Sequence, residues 1–237
     1  MWVATWDGVS VFDGERFKTC HVADGLADKW VYAIALDRDG IFWFGTEAGV
    51  SRFDRKSWTT YTHKDGIGAD LGADLNDPVE GGKTVSPFPS TSRAEAGGET
   101  GYGSGSLEHH MAGGKQNLRA NPNFIISAMV DGRDRKWFGT WGAGVARFDG
   151  TSWTNYTRKD GLGGDYIFSL ILDRDGRVWA GTNGGASWFD GTRWRTLDKS
   201  KGLQDENVLS ILFDKRGRRW FGTMKGLSVF KGGLPQE

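Results

Sequence analysis

Five short segments of the chain carry residues able to recognise a polar ring: Trp6-Asp7, Glu47-Ala48, Trp141-Gly142-Ala143, Asn183-Gly184 and Met224-Lys225. Each lies between a recurrent Thr and a recurrent Gly, and only the residues between them change from copy to copy. An indole face stacks on a flat apolar surface, while carboxylate, amide and ammonium groups give directional hydrogen bonds, which is the chemistry a sugar needs. Trp30, Tyr166 and Asn207 stand just before apolar runs and are expected to join the same group. Taken singly, such positions read as solvent-facing turn residues. They become a site for a small-molecule or oligosaccharide ligand only if the fold gathers Trp6, Asp7, Trp30, Glu47, Trp141, Tyr166, Asn183, Asn207, Met224 and Lys225 around one concave face.

Catalytic chemistry is poorly provided for. The four His residues, 21, 63, 109 and 110, fall outside the five variable segments. No nucleophile elbow, phosphate loop, zinc spacing or cofactor fingerprint is present, so no cofactor is expected. Asp7 and Glu47 are the carboxylates that could share acid and base work if they faced each other. His109, His110 and Met111 are donors for a soft metal. They fall in "GSGSLEHHM", Gly103 to Met111, which reads as a linker with a cloning-tag remnant, so no metal is expected. The turns Asp37-Arg38-Asp39-Gly40 and Asp173-Arg174-Asp175-Gly176 lack the further ligands of a calcium loop and read as plain turns.

The elements that must position these residues follow from a repeat. Trp2, Trp43, Trp137, Trp179 and Trp220 open near-identical segments spaced by 41, 94, 42 and 41 residues. A fixed spacing of this kind means stacked or radially arranged units, none of which buries its apolar faces alone. One period reads as four short strands: the apolar "VYAIALD", then "IFWFGT", "GVSRFD" and "SWTTYT". Gly45 in the second marks a place where a neighbouring sheet comes close. The hairpins at Asp13-Gly14, Asp149-Gly150 and Asp190-Gly191 join the third strand to the fourth. Turn residues recur too often for helices. Twelve Trp, fourteen Phe and thirty-seven Gly suit strands joined by sharp turns. The fold expected is all-β, a β-propeller of four-stranded antiparallel blades, five in number.

The segments "DRDGIFWFGTEAGVSRFD", "DGRDRKWFGTWGAGVARFD", "DRDGRVWAGTNGGASWFD" and "DKRGRRWFGTMKGLSVF", with "KDGLGGDYIFSL" and "SKGLQDENVLSI", resemble the two-component regulator propeller repeat. The resemblance covers about three quarters of the chain, with Ala4 replacing the usual Gly. It implies the sensor part of a bacterial hybrid histidine kinase, periplasmic or extracellular, with an oligosaccharide among the ligands of such sensors. No kinase region is present, and five copies are fewer than the seven usual in that family, so the chain reads as a small propeller, a fragment or an engineered derivative.

The chain is expected to form one propeller domain over residues 1–237, with a Gly-, Ser- and Pro-rich flexible insertion at 69–122 that cannot build a core. Strand counting leaves the first blade without its inner strand and the last without its outer one, so either the inserted segment, a missing chain segment or another chain supplies a strand, or the ring closes imperfectly. Thirty basic residues balance thirty acidic ones, which argues against nucleic acid as a partner. No apolar run is long enough for a membrane span. No signal peptide opens the chain, which suits a cytosolic protein or a processed segment, and a lone Cys20 cannot form an internal disulfide. The functions compatible with this reading are a non-enzymatic ligand-binding or sensing module, a lyase or hydrolase acting on a glycan or lactone, and a protein-interaction or engineered scaffold without a natural ligand.

Overall fold

The computed structural model describes residues 1–70 and 120–232, which belong to one compact unit. Within it are five antiparallel sheets. The first holds β1 (Trp2–Thr5), β2 (Gly8–Phe12) and β3 (Phe17–Cys20). The second holds β4 (Val31–Leu36), β5 (Phe42–Thr46), β6 (Gly49–Phe53) and β7 (Trp58–Tyr61). The third holds β8 (Asn121–Val130), β9 (Lys136–Trp141), β10 (Val145–Phe148) and β11 (Trp153–Tyr156). The fourth holds β12 (Ile167–Leu172), β13 (Val178–Thr182), β14 (Gly185–Phe189) and β15 (Trp194–Leu197). The fifth holds β16 (Val208–Phe213), β17 (Arg219–Thr223) and β18 (Gly226–Phe230). Each strand pairs with its sequence neighbour, as in propeller blades. The first and fifth sheets have three strands each among the described residues, in line with the strand count. β8 begins at Asn121, and the Ala69 amide donates to the Ala143 carbonyl at 3.1 Å. Most of the stretch read as an insertion, including His109, His110 and Met111, lies outside the described residues.

Consecutive sheets are joined by a tryptophan wedge. Trp2 packs on Phe42, Phe44 and Phe53 of the second sheet. Trp43 meets Phe138 and Phe148 of the third, Trp137 meets Phe189 and Trp194 of the fourth, and Trp179 meets Phe213 and Phe221 of the fifth. Trp43, Trp137 and Trp179 are 0–2% exposed, and burying rings of this size makes up much of the apolar stabilisation at each junction.

Each wedge from the second sheet onward is held by an aspartate six residues earlier. The indole Nε1 of Trp43, Trp137, Trp179 and Trp220 donates to Asp37, Asp131, Asp173 and Asp214 at 2.9–3.0 Å. The other carboxylate oxygen of the same Asp accepts two backbone amides of its turn, as Asp37 does from Asp39 and Ile41. The turns contemplated as calcium loops are therefore structural, with their carboxylates spent on backbone and indole. Lys136 adds a cross-sheet ion pair. It is buried between Asp134 at 2.7 Å and Asp37 of the second sheet at 3.3 Å.

The glycines of the repeat have two separate jobs. Gly25 has φ 116°, and a Cβ there would press on Trp58 of the following sheet at 2.8 Å. The next residue, Leu26, is 2% exposed and seals the same junction. Gly45 has ordinary φ but no room: a Cβ would stand 2.7 Å from the Ile125 methyl of the third sheet and 3.0 Å from its carbonyl oxygen. The close approach expected there is present. Ala4 fills the same repeat position in the first sheet and packs against the neighbouring core.

Gly45→Ala is accordingly expected to destabilise the protein by about 2 kcal/mol in urea unfolding, because neither the Ile125 backbone nor its branched side chain can retreat cheaply. Ala4→Gly should change stability by about 1 kcal/mol or less.

Asp131 gives a pH-dependent counterpart. Burial pushes its carboxyl up, but the Trp137 indole, the Arg135 and Arg133 amides and the Arg135 guanidinium outweigh that and leave it below the ordinary aspartate value. A carboxyl lowered by folding stabilises the protein above its unfolded pKa of about 3.9 and loses that contribution as pH falls through the folded value. Asp131→Asn is expected to cost about 2–3 kcal/mol at neutral pH. The gap to the parent protein should narrow below about pH 4, read by denaturant melts at several pH values.

Candidate functional site

The variable residues of the repeat sit at one end of the sheets, and the geometry there is built from the repeat's Thr. Thr5, Thr46, Thr140, Thr182 and Thr223 each donate a hydroxyl hydrogen bond to the carbonyl of the Gly that closes the turn, at 2.7–2.9 Å. Each hydroxyl also accepts an amide from inside the turn, at 3.0–3.3 Å. The turn backbone is thereby satisfied without the intervening side chains, which leaves those side chains free to vary.

At this end the structure assembles a row of aromatic rings across the second, third and fourth sheets. Tyr32 packs on Phe124 with centroids 4.8 Å apart, Phe124 stacks on Trp141 at 5.7 Å, and Trp141 meets Tyr166 edge to face at 5.2 Å. Phe168 touches Trp141 at 6.3 Å. The Tyr32 hydroxyl donates to Glu47 Oε1 at 2.5 Å, which anchors a carboxylate at one end of the row. Burial pushes the Tyr32 phenol well above its usual value, and the bond to Glu47 adds to the shift.

Three of the expected residues, Glu47, Trp141 and Tyr166, thus belong to one connected row. Trp141 corrects the sequence reading in one respect: it is the last residue of β9 and 8% exposed, and it bridges to Tyr166 across the sheet junction. A wide turn of Gly142, Ala143 and Gly144 follows it, so the strand runs one residue further than in the other copies. Asn183 joins through its backbone and side chain, exchanging hydrogen bonds with Tyr166 at 3.2 Å.

Asn207, Met224 and Lys225 form a second group on the fifth sheet. The Met224 amide donates to the Asn207 carbonyl at 3.2 Å, the Asn207 side chain donates to Asp205 at 3.1 Å, and Lys225 reaches Asp205 at 3.6 Å. Trp6 and Asp7 lie on the first sheet. Trp6 is 49% exposed, and Asp7 stands 3.9 Å from His21. Trp30 opens the second sheet, with Lys29 5.3 Å above its ring. The two carboxylates weighed for acid and base work therefore have different neighbours, His21 for Asp7 and Tyr32 for Glu47.

Phe124, Tyr32 and Asp205 were missed by the sequence reading. Phe124 had a signal. It immediately precedes Ile125, which pairs with Thr140, just as Trp30 precedes Val31 opposite Thr46 and Tyr166 precedes Ile167 opposite Thr182. The irregular sequence before Phe124, read as an insertion over 69–122, hid that equivalence. Tyr32 looked like an ordinary member of an inner strand.

A separate cleft of about 230 Å³ opens at the opposite end, between the fourth and fifth sheets, lined by Asp173, Arg174, Arg177, Asp214 and Arg219 among others. Its charges largely answer one another: Arg177 contacts Asp175 at 2.9 Å and Arg174 donates to the Asp214 carbonyl at 2.9 Å. The aromatic row lies at the end of the sheets where the repeat varies and is taken as the candidate site. Among the described residues no cluster of His, Cys, Asp and Glu is arranged to hold a metal.

Residues 25–48 and 161–184 match the family model described as two component regulator propeller. The chain is similar in structure to the extracellular domain of a protein of B. thetaiotaomicron described as the hybrid two component system BT3049, with a TM-score of 0.66 at 20% identity over 97% of the chain and 26% of that domain. It is similar to the corresponding domain of BT4673 from the same organism, with a TM-score of 0.62 at 17% identity over 99% of the chain and 26% of that domain. A virginiamycin B lyase from Staphylococcus aureus also superposes, with a TM-score of 0.56 at 13% identity over 99% of the chain and 67% of the lyase. The propeller spans about a quarter of the length of the two extracellular domains. No curated protein matches its sequence.

The Tyr32–Glu47 bond can be read directly by absorbance. Tyr32 is expected to stay protonated through the alkaline range in which exposed tyrosines ionise, near pH 10. In Glu47→Ala, part of that delay should disappear, leaving the portion due to burial.

Proposed function

We propose that this propeller is a non-enzymatic ligand-binding module of a sensor, with its site along the Tyr32–Phe124–Trp141–Tyr166 row and a carbohydrate as its ligand. One observation carries the reading: aromatic rings from three successive sheets meet at the end of the propeller where the repeat lets residues vary, with the Glu47 carboxylate fixed beside them. Rings offer stacking surface to the C–H face of a sugar, and Glu47, Asn183 and Lys225 supply direction through hydrogen bonds to hydroxyls. Trp6, Asp7, Trp30, Asn207 and Met224 would form the outer rim, contacting the remoter units of an extended ligand.

The fold shared with extracellular domains described as parts of two component systems supports a sensing role and an extracytoplasmic setting. No helix among the described residues is long and apolar enough to cross a membrane. The fold shared with a lyase carries less weight, because chemistry resides in a site and not in a scaffold. Here Asp7 and His21, 3.9 Å apart, are both well exposed.

Titrating intrinsic tryptophan fluorescence with a panel of neutral and acidic oligosaccharides should give saturable binding to at least one class. Glu47→Gln is expected to weaken it about tenfold, or about 1.4 kcal/mol, and Tyr166→Ala by at least as much, with far-UV circular dichroism unchanged. A flat response of the parent protein to the whole panel, with calorimetry equally silent, would overturn the carbohydrate reading.

A further inference from the structure

The turns between inner and second strands share one frame in the second to fifth sheets, and one of them departs from it in charge. Each opens with the Asp that holds the wedge indole, Asp37, Asp131, Asp173 or Asp214, whose amide donates to the carbonyl four residues on. The turns of the second, third and fourth sheets carry a further Asp, at 39, 134 or 175. The turn of the fifth carries none and reads Asp214-Lys215-Arg216-Gly217-Arg218-Arg219. Counted from the opening Asp, Gly217 stands where the third sheet has Asp134, and Arg219 where it has Lys136. One sheet earlier, Arg174 of the fourth stands where the second has Arg38.

Between the second and third sheets this set is closed. Asp134 accepts from the Lys136 ammonium at 2.7 Å and from the Arg38 amide at 3.0 Å, while the Arg38 guanidinium donates to the Gly132 carbonyl. The Asp134 carboxylate therefore sits between Lys136 of its own sheet and Arg38 of the previous one. Between the fourth and fifth sheets both cations are kept, and Gly217 replaces the carboxylate. Arg174 again reaches across, donating to the Asp214 carbonyl at 2.9 Å. The cleft of about 230 Å³ opens at this place, with Arg174, Gly217 and Arg219 in its lining.

The carboxylates that line the cleft are committed. Asp173 and Asp214 each take an indole and two turn amides, and Asp175 takes Arg177 at 2.9 Å. The lining balances Arg174, Arg177 and Arg219 against these three, and Lys215, Arg216 and Arg218 of the same turn add positive charge on top. Arg219 is 8% exposed and donates to the Gly232 carbonyl, an uncharged acceptor. Burial lowers its guanidinium from the ordinary value; the Asp173 charge opposes that shift and nearby Arg177 adds to it.

We propose that this cleft binds a small oxyanion, a phosphate or sulfate group held between Arg174 and Arg219 where the third sheet uses its own Asp134. Guanidinium groups offer paired N–H donors that match such oxygens, and the bonds are charge-assisted. The junction that forms the cleft is closed by Trp179 on Phe213 and Phe221, and the site lies at the opposite end of the sheets from the aromatic row.

Equilibrium dialysis of the full chain against radiolabelled phosphate or sulfate, in chloride buffer of constant ionic strength, reads binding directly and is indifferent to the general stabilising action of these salts. At least one of the two anions is expected to bind saturably, about one per chain, and the two arms tell phosphate from sulfate. Arg174→Gln, at an exposed position, should weaken binding about tenfold. The decisive variant is Gly217→Asp, which supplies the carboxylate of the repeat. Gly217 has φ 74° and Asp134 has φ 63°, and a Cβ on Gly217 would meet nothing within 4 Å, so this variant should fold as the parent does, with circular dichroism as the check. It is expected to abolish binding, whereas Gly217→Asn, similar in shape but uncharged, keeps it within about threefold. A parent protein that retains neither anion above the chloride background overturns the proposal. So does binding that is unchanged in Gly217→Asp or in Arg174→Gln.

Discussion

The hydrogen bond from each wedge indole of the second to fifth sheets to an aspartate six residues earlier is the constraint on which the rest of this propeller depends. It joins three things that a thin sheet would otherwise leave independent: the turn between inner and second strands, the orientation of the ring, and the face offered to the next sheet. A Trp buried for its area alone could tilt in several ways. With Nε1 committed to a carboxylate whose other oxygen holds the turn amides, the ring has one orientation left. The next sheet then packs on a surface of defined shape, and a polar N–H that would be costly to bury unpaired is satisfied.

From that constraint the division of labour between the two ends of the sheets follows. At the turn end, side chains are consumed by structure: aspartates hold indoles, and Lys136 spans two sheets. At the opposite end the Thr hydroxyl satisfies the turn backbone by itself, so the intervening side chains contribute little to folding. Variation gathers there, and rings from neighbouring sheets meet there. A propeller can therefore change what it recognises without disturbing what holds it together.

The periodicity that makes the fold economical also exposes it at its ends. Every internal sheet has a wedge buried in its successor and a receiving pair filled by its predecessor. Trp220 and the Phe12–Phe17 pair have the same aromatic character as their buried counterparts, yet Trp220 is only half-buried and Phe17 is 61% exposed. Their apolar character is a consequence of the repeat, and it persists wherever the series of sheets stops.

The sequence by itself determined the elements, their order and their repeat: the spacing of Trp43, Trp137, Trp179 and Trp220, the Gly45 clearance and the Asp-Gly hairpins could be read without coordinates, because each reflects a local backbone demand or a fixed period. It also marked the end of the sheets at which variable residues collect. Tertiary structure alone decided which of those residues touch. Tyr32 became part of the candidate site through a hydroxyl reaching Glu47 in the turn after the adjacent strand, Phe124 through rings on either side of it, and Trp141 by entering a strand instead of a loop. Pairings of this kind depend on twist and on the distance between sheets. Those are set by packing across the whole junction, and no spacing along a single chain segment encodes them.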